Sequence, residues 1–185
     1  MTTLLPADLV IVRTPGLAGG VIRLGEMLQG KPDLRNHVAM FHHQADGANW
    51  YLEGRPGGLG WRAFPVGADG YAGSRWTVTN AAQSKTPAQR EAACAVMRQM
   101  LGAPYDWGAI EADTASALRL PGTWKAWSGA PDGTMPGHVV CSSSASYAYR
   151  KAGVEAPEKG GGRLTEPADW DWFIMTRGWE VPVSK

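Results

Sequence analysis

His37-Val38-Ala39-Met40-Phe41-His42-His43, Asp46-Gly47 and Trp50-Tyr51-Leu52-Glu53 succeed one another as an apolar run, a turn signal and a second apolar run. Asp-Gly is a favoured tight-turn pair, and the runs on either side have strand length, so the stretch predicts an antiparallel hairpin. Side chains alternate along a strand, so His37, Ala39, Phe41 and His43 are expected to share one face. Outward from the hairpin, Asp8-Leu9-Val10-Ile11-Val12 reads as a first strand. Val21 to Leu28 reads as a short helix, Gly54 to Gly60 as a Gly/Pro-rich turn and Trp61 to Val66 as a third strand.

Thr86 to Leu101 carries the plainest helix signals. Thr86 is placed to be the N-cap, Pro87 suits the first helical position, and Gln89 completes a capping box. Ala93, Val96, Met97, Met100 and Leu101 form an apolar stripe at helical spacing, and Gly102 ends it. A second helix is expected over Gly108 to Leu118. A third is expected over Cys141 to Ala152, stopped by Gly153. Pro121 to Gly137 reads as irregular, Gly160 to Gly162 as a turn, and Trp172 to Met175 and Trp179 to Val183 as late edge strands. Strands first, then helices, then strands predict an α+β fold with a small antiparallel sheet packed against helices. No internal repeat or separable linker divides the chain, so residues 1–185 are expected to form one domain.

Composition narrows the function classes. The chain has 185 residues, with 18 Lys and Arg against 17 Asp and Glu, a formal charge of +1. So even a balance leaves no electrostatic footprint for nucleic acid or an anionic membrane. Nothing approaches the ~20 apolar residues of a membrane-spanning helix. The opening Met-Thr-Thr-Leu-Leu-Pro does not read as a secretory signal. The expectation is synthesis in a cytoplasm, with any work outside reached through a virus particle or cell lysis. Two cysteines, Cys94 and Cys141, do not make a disulfide framework. Nine tryptophans are many, and Trp fills cores as readily as it lines grooves for sugars or extended chains.

Cys141 opens its helix. There the positive end of the helix dipole favours thiolate over thiol, and outward-pointing N–H groups can hold an oxyanion. Ser142 and Ser143 behind it are small enough to let a substrate approach. The competing reading is a buried, inert cysteine. A thiolate nucleophile wants an imidazole, and the candidates are His37, His42, His43 and His138. His37 starts a strand and can present its ring at a sheet edge, although a histidine in an apolar run is commonly structural. Glu53, at the end of the returning strand, could hold that ring in one tautomer, or be an ordinary solvated carboxylate. Cys94 lies mid-helix and reads as structural. His42-His43 with Asp46 is a conceivable metal cluster, but His-Glu-x-x-His and paired Cys-x-x-Cys spacings are missing. No metal or other cofactor is expected. Gly57 to Gly60 and Gly160 to Gly162 lack the Lys-Ser/Thr of a phosphate loop, and there is no Gly-x-Ser-x-Gly elbow.

Several segments together resemble the NlpC-type family of papain-like cysteine hydrolases. Leu101-Gly102-Ala103-Pro104-Tyr105-Asp106-Trp107-Gly108 resembles its Leu-Gly-x-Pro-Tyr-x-Trp-Gly segment, and Cys141-Ser142 its nucleophile motif. The family's usual histidine follows its cysteine, whereas no histidine follows Cys141 here. Upstream, Pro6-Ala7-Asp8-Leu9-Val10, Asn36-His37-Val38-Ala39-Met40 and Trp50-Tyr51-Leu52-Glu53-Gly54 resemble strands of the circularly permuted branch. That branch includes YiiX-like proteins and relatives of lecithin:retinol acyltransferase. Thr165-Glu166-Pro167-Ala168-Asp169-Trp170 resembles its Thr-Pro-x-Asp-Leu element. The likeness runs from about residue 5 to 175. Ala7 and Ala39 depart from the family's glycines, and Glu111 to Gly137 has no counterpart.

The resemblance implies a papain-like fold of permuted order, with the histidine strand before the cysteine helix. It makes Cys141 the nucleophile, His37 the general base and acid and Glu53 the orienting group. Tyr105 belongs to the substrate-facing wall, and Trp107 and Ser142 would contribute to substrate binding. Trp124, with Trp127, would cover the cleft as a lid or anchor a long loop. The implied substrate is a peptide bond in bacterial peptidoglycan stems. The alternatives are an amide, ester or thioester on a lipid or other acylated small substrate, and a non-catalytic wall-binding or virion module.

Overall fold

Asp46 and Gly47 both adopt positive φ, 52° and 71°, the geometry of the primed turns that match strand twist. They join β2 (His37–Ala45) to β3 (Ala48–Arg55). The computed structural model describes residues 4–14, 17–28, 30, 35–66, 77–78, 85–111, 137–157, 165–179 and 181–182. Within them lie β1 (Leu9–Val12), α1 (Leu17–Leu28), β4 (Gly58–Pro65), β5 (Thr77–Val78), α2 (Pro87–Gln99), α3 (Cys141–Lys151), α4 (Pro167–Thr176) and β6 (Val181–Pro182). The six strands form one antiparallel sheet in the order β4-β3-β2-β1-β5-β6. The fold is α+β. Trp124 and Trp127, with the stretch expected to be irregular, lie outside the described residues, as does most of the helix expected over Gly108 to Leu118, where residues 107–111 are helical.

The main core lies between the sheet and the helices. Leu9, Ile11, Val38, Met40 and Leu52 from the strands meet Ala93, Cys94, Met97 and Met100 of α2 and its exit. They also meet Ala145, Ala148 and Tyr149 of α3, and Trp170, Phe173 and Ile174 of α4. Val10, Val12, Ala39, Phe41, Tyr51 and Phe64 form a smaller cluster from the alternating positions. The capping box on α2 is made as its sequence predicts. Thr86 Oγ1 accepts from the Gln89 amide at 3.2 Å, and Gln89 Oε1 accepts from the Thr86 amide at 3.0 Å. Leu101 departs from the expected stripe, because the helix stops at Gln99 and turns it outward, 38% exposed.

Two expectations are corrected. Phe41 pairs with Tyr51 but His43 with Trp50, so a β-bulge at His42 puts an extra residue into β2. Tyr51 and Trp50 point to opposite faces. Phe41 and His43 therefore do not share a face, and His43 stacks on the Trp50 ring instead. Trp172 to Met175 is helix rather than edge strand. Glu166 caps α4, Pro167 occupies its first turn, and Asp169 accepts from the Glu166 amide at 2.8 Å.

The turn after β3 carries the site-bearing loop. Gly58 has φ +107°, and a Cβ there would lie 2.6 Å from the Ala103 carbonyl oxygen. That close approach lets the Leu59 amide donate to Ala103 and the Gly102 amide donate to Leu59, each at 2.9 Å. The segment leading to Tyr105 is thus sewn to β4. Gly58→Ala should destabilise the protein by about 1–3 kcal/mol, because strain and clash coincide. A urea midpoint equal to wild type would show that this junction yields at no cost.

Candidate active site

The site is assembled by three segments that end close together. β2 begins at His37, β3 ends just beyond Glu53, and α3 begins at Cys141. Asn36 fixes the start of β2: its side chain accepts from the Thr14 amide at 2.7 Å and donates to the Gly19 carbonyl at 2.9 Å. Gly54 lets the helix approach the strand, since a Cβ there would lie 3.0 Å from the Cys141 amide nitrogen and 3.2 Å from its Cα.

His37 Nε2 lies 2.7 Å from Glu53 Oε2, leaving Nδ1 as the nitrogen available to the Cys141 sulfur. All three side chains are buried: His37 is 7% exposed, Glu53 1% and Cys141 1%. Burial alone would keep the imidazole neutral. The Cys141 sulfur and then the Glu53 carboxylate outweigh it and push the His37 pKa up to about 10. Burial likewise opposes ionisation of Cys141, yet its pKa is held below the ordinary thiol value. The His37 charge and hydrogen bond do most of this, helped by backbone N–H groups of Val38 and Ser142. Both shifts run in the direction that favours a thiolate–imidazolium pair braced by a carboxylate.

α3 contributes its unbonded first turn. Its N-cap, Val140, supplies no side-chain cap, and the first amide bonded within the helix is Ser144, which donates to Val140 at 2.9 Å. The amides of Cys141, Ser142 and Ser143 precede it, so the sulfur meets the donor end of the helix. Ser142 does not line the approach as expected. It is fully buried, and its hydroxyl donates to the Thr165 carbonyl at 2.5 Å, while Ser143 donates to the same carbonyl at 3.1 Å. Its contribution at the sulfur is its amide. Trp170 Nε1 donates to the Ser142 carbonyl at 3.1 Å, so the start of α4 clamps the start of α3.

Tyr105 is brought in by a parallel bridge to Val139: the Val139 amide donates to Pro104 and the Asp106 amide to Val139, each at 2.9 Å. Its hydroxyl hydrogen-bonds the Cys141 side chain. Burial, and after it the neighbouring sulfur, raise its pKa above the usual phenol value. Trp107, 42% exposed, stands beside it with ring centroids 5.1 Å apart. His138 is exposed. Cys94 is buried in the core, and burial pushes its pKa up to about 11. His42 faces Arg98, with Nε2 2.6 Å from the guanidinium, and His43 Nδ1 lies 2.7 Å from His42 Nδ1. A cation finds a poor seat beside that guanidinium, so His42, His43 and Asp46 do not fit a metal. Among the described residues no group of three or more His, Cys, Asp or Glu side chains could hold one.

Sequence reasoning named Gly54, Thr165 and Trp170 only within family-like segments, with no role at the site, and did not pick out Arg55. Arg55 carried a signal, since two residues beyond Glu53 on a strand it shares that residue's face. Its Nε forms an ion pair with Glu53 Oε1. At pH 7 iodoacetamide should label Cys141 at least roughly tenfold faster than Cys94, because burial dominates at Cys94 whereas Cys141 has the hydrogen-bonded His37 to offset it. His37→Gln should move the Cys141 alkylation midpoint to higher pH. Equal labelling of the two cysteines in the wild type would remove the reactive-thiol reading.

No family model matches the chain, and no curated protein matches it. Among solved structures its fold is similar to the metalloprotein YiiX from Escherichia coli O157:H7, with a TM-score of 0.52 and 15% sequence identity. The match covers 97% of this chain and 88% of that one. Among the described residues no helix is long and apolar enough to cross a membrane. The chain therefore has a YiiX-like α+β fold.

Proposed function

We propose that this chain is a papain-like cysteine hydrolase of permuted order that cleaves an amide bond, specifically a peptide bond in bacterial peptidoglycan stems. The observation that carries the reading is the buried line of Cys141, His37 and Glu53, with Nε2 of the imidazole 2.7 Å from the carboxylate. Side chains from two strands and a helix converge there with the nucleophile, base and orienting group of a covalent hydrolase. The permuted order is supported by the histidine strand preceding the cysteine helix in the chain.

In the proposed reaction the Cys141 thiol proton rests on His37, and the thiolate attacks the carbonyl carbon to form a C–S bond. The oxyanion meets the Cys141 backbone N–H and the Tyr105 hydroxyl, which stays protonated and so remains a donor. Collapse breaks the C–N bond, and His37 gives its proton to the departing amine. A water, deprotonated by His37, then cleaves the thioester and returns the thiol. Tyr105 and Trp107 form the aromatic wall beside the sulfur, in the segment whose likeness points to wall peptides.

Incubation with purified peptidoglycan should release new amino groups. Cys141→Ala and His37→Ala should lose roughly 10³-fold or more while keeping the wild-type circular dichroism spectrum. Tyr105→Phe should lower turnover about 10²-fold through the lost oxyanion donor. Release of fatty acid from acyl-lipids with no amine from peptidoglycan would overturn the substrate half of the proposal. Full activity in Cys141→Ala would overturn the chemistry.

A further inference from the structure

Glu53 is 1% exposed and is asked to hold two cations at once. Oε2 takes the His37 ring, and Oε1 takes Nε of Arg55, whose side chain is 36% exposed at the end of β3. The two residues sit two apart on one strand and share a face. The line of charge therefore does not stop at the carboxylate. It runs from the Cys141 sulfur through imidazole and carboxylate to a guanidinium at the surface. From this geometry we infer that Arg55 is a positioning residue, which keeps Glu53 ionised and turned toward His37 and so sets the pH range over which the thiolate–imidazolium pair exists. This rests on the cysteine-hydrolase reading and adds a fourth member that neither the sequence motifs nor the triad logic supplies.

A carboxylate buried this deeply is costly unless its charge is matched. With both cations in place it stays ionised and continues to stabilise the imidazolium. Without Arg55 it gains a proton more readily, and its second oxygen loses its ion-pair partner. Either change weakens the imidazolium and therefore the thiolate. Other titratable groups also act on this line. Tyr105 hydrogen-bonds the sulfur, Asp106 acts through Tyr105, and Tyr51 on the same strand feels Glu53.

The test is the pH profile of Cys141 alkylation by iodoacetamide in the full chain, with Cys94 replaced by Ala. In Arg55→Met the acid limb should move up by about one unit, which is roughly tenfold slower labelling on that limb. Arg55→Lys, which keeps the charge, should restore most of it. In a Glu53→Gln background, Arg55→Met should add no further shift, because the carboxylate it acts through is gone. A merely structural role would lower the melting temperature and leave the limb in place. An unmoved acid limb in folded Arg55→Met overturns the inference. If that variant does not fold, an unmoved limb in Arg55→Gln does the same. A wild-type Cys141 with no low-pH limb at all would instead sink the hydrolase reading, so the two failures are told apart.

Discussion

Three ionisable side chains, Cys141, His37 and Glu53, are all withdrawn from water, and each alone would be driven toward its neutral form. Charge survives there only because each side chain is the solvent of the next. That demand is geometric before it is chemical. The sulfur, the ring and the carboxylate come from a helix start, a strand start and a strand end, so the sheet and helices must meet at one corner to within a fraction of an ångström. Gly54 is the most direct expression of this, because a Cβ there would press on the Cys141 backbone, 3.0 Å from its amide nitrogen. Asn36 serves the same end from the other side. Its amide ties the residue before His37 to both Thr14 and Gly19.

The start of α3 poses a second demand, since its first-turn amides need partners and its polar side chains are buried. The protein satisfies the side chains with a carbonyl from elsewhere in the chain. Ser142 and Ser143 both donate to Thr165, and the Thr165 amide donates back to Ser143 at 3.1 Å. Trp170 then takes the Ser142 carbonyl. Stripping these partners away would leave buried hydroxyls unmatched, at a cost of about 1–3 kcal/mol each. The amides are left toward the sulfur. A hydroxyl cap at Val140 would have competed for them, so an apolar N-cap suits a helix whose anion is its own first side chain.

Local signals explain what the sequence made legible. Asp46-Gly47 specifies a turn whose backbone angles few other pairs accept. Thr86-Pro87-Ala88-Gln89 specifies a helix start by hydrogen bonds that close within four residues. Both are read without knowing the rest of the molecule. The segment from Trp172 to Met175 misleads because aromatic and β-branched content suggests a strand, while Glu166-Pro167-Ala168-Asp169 a few residues earlier sets helix geometry. The start signal outranks the composition. The bulge at His42 is illegible in principle, since an extra residue exists only relative to a partner strand. Ser142 was read by its size and its position beside the nucleophile. Its true environment depends on Thr165, far along the chain, and no spacing rule reaches that far.

The two cysteines show how little burial alone decides. Both are 1% exposed, both lie in helices, and both pack into the same hydrophobic cluster. Burial pushes Cys94 up to about 11, whereas Cys141 is held below the ordinary thiol value although burial opposes its ionisation too. Position along the helix is the first difference. Cys94 sits mid-helix, where the amides are spent on the turns before them, and Cys141 sits where they are not. The second difference is His37, a cation that the sheet delivers to one sulfur and not the other. With a formal charge of +1 over the whole chain, no general field could do this. The polarisation of Cys141 is local, and it exists only in the folded arrangement.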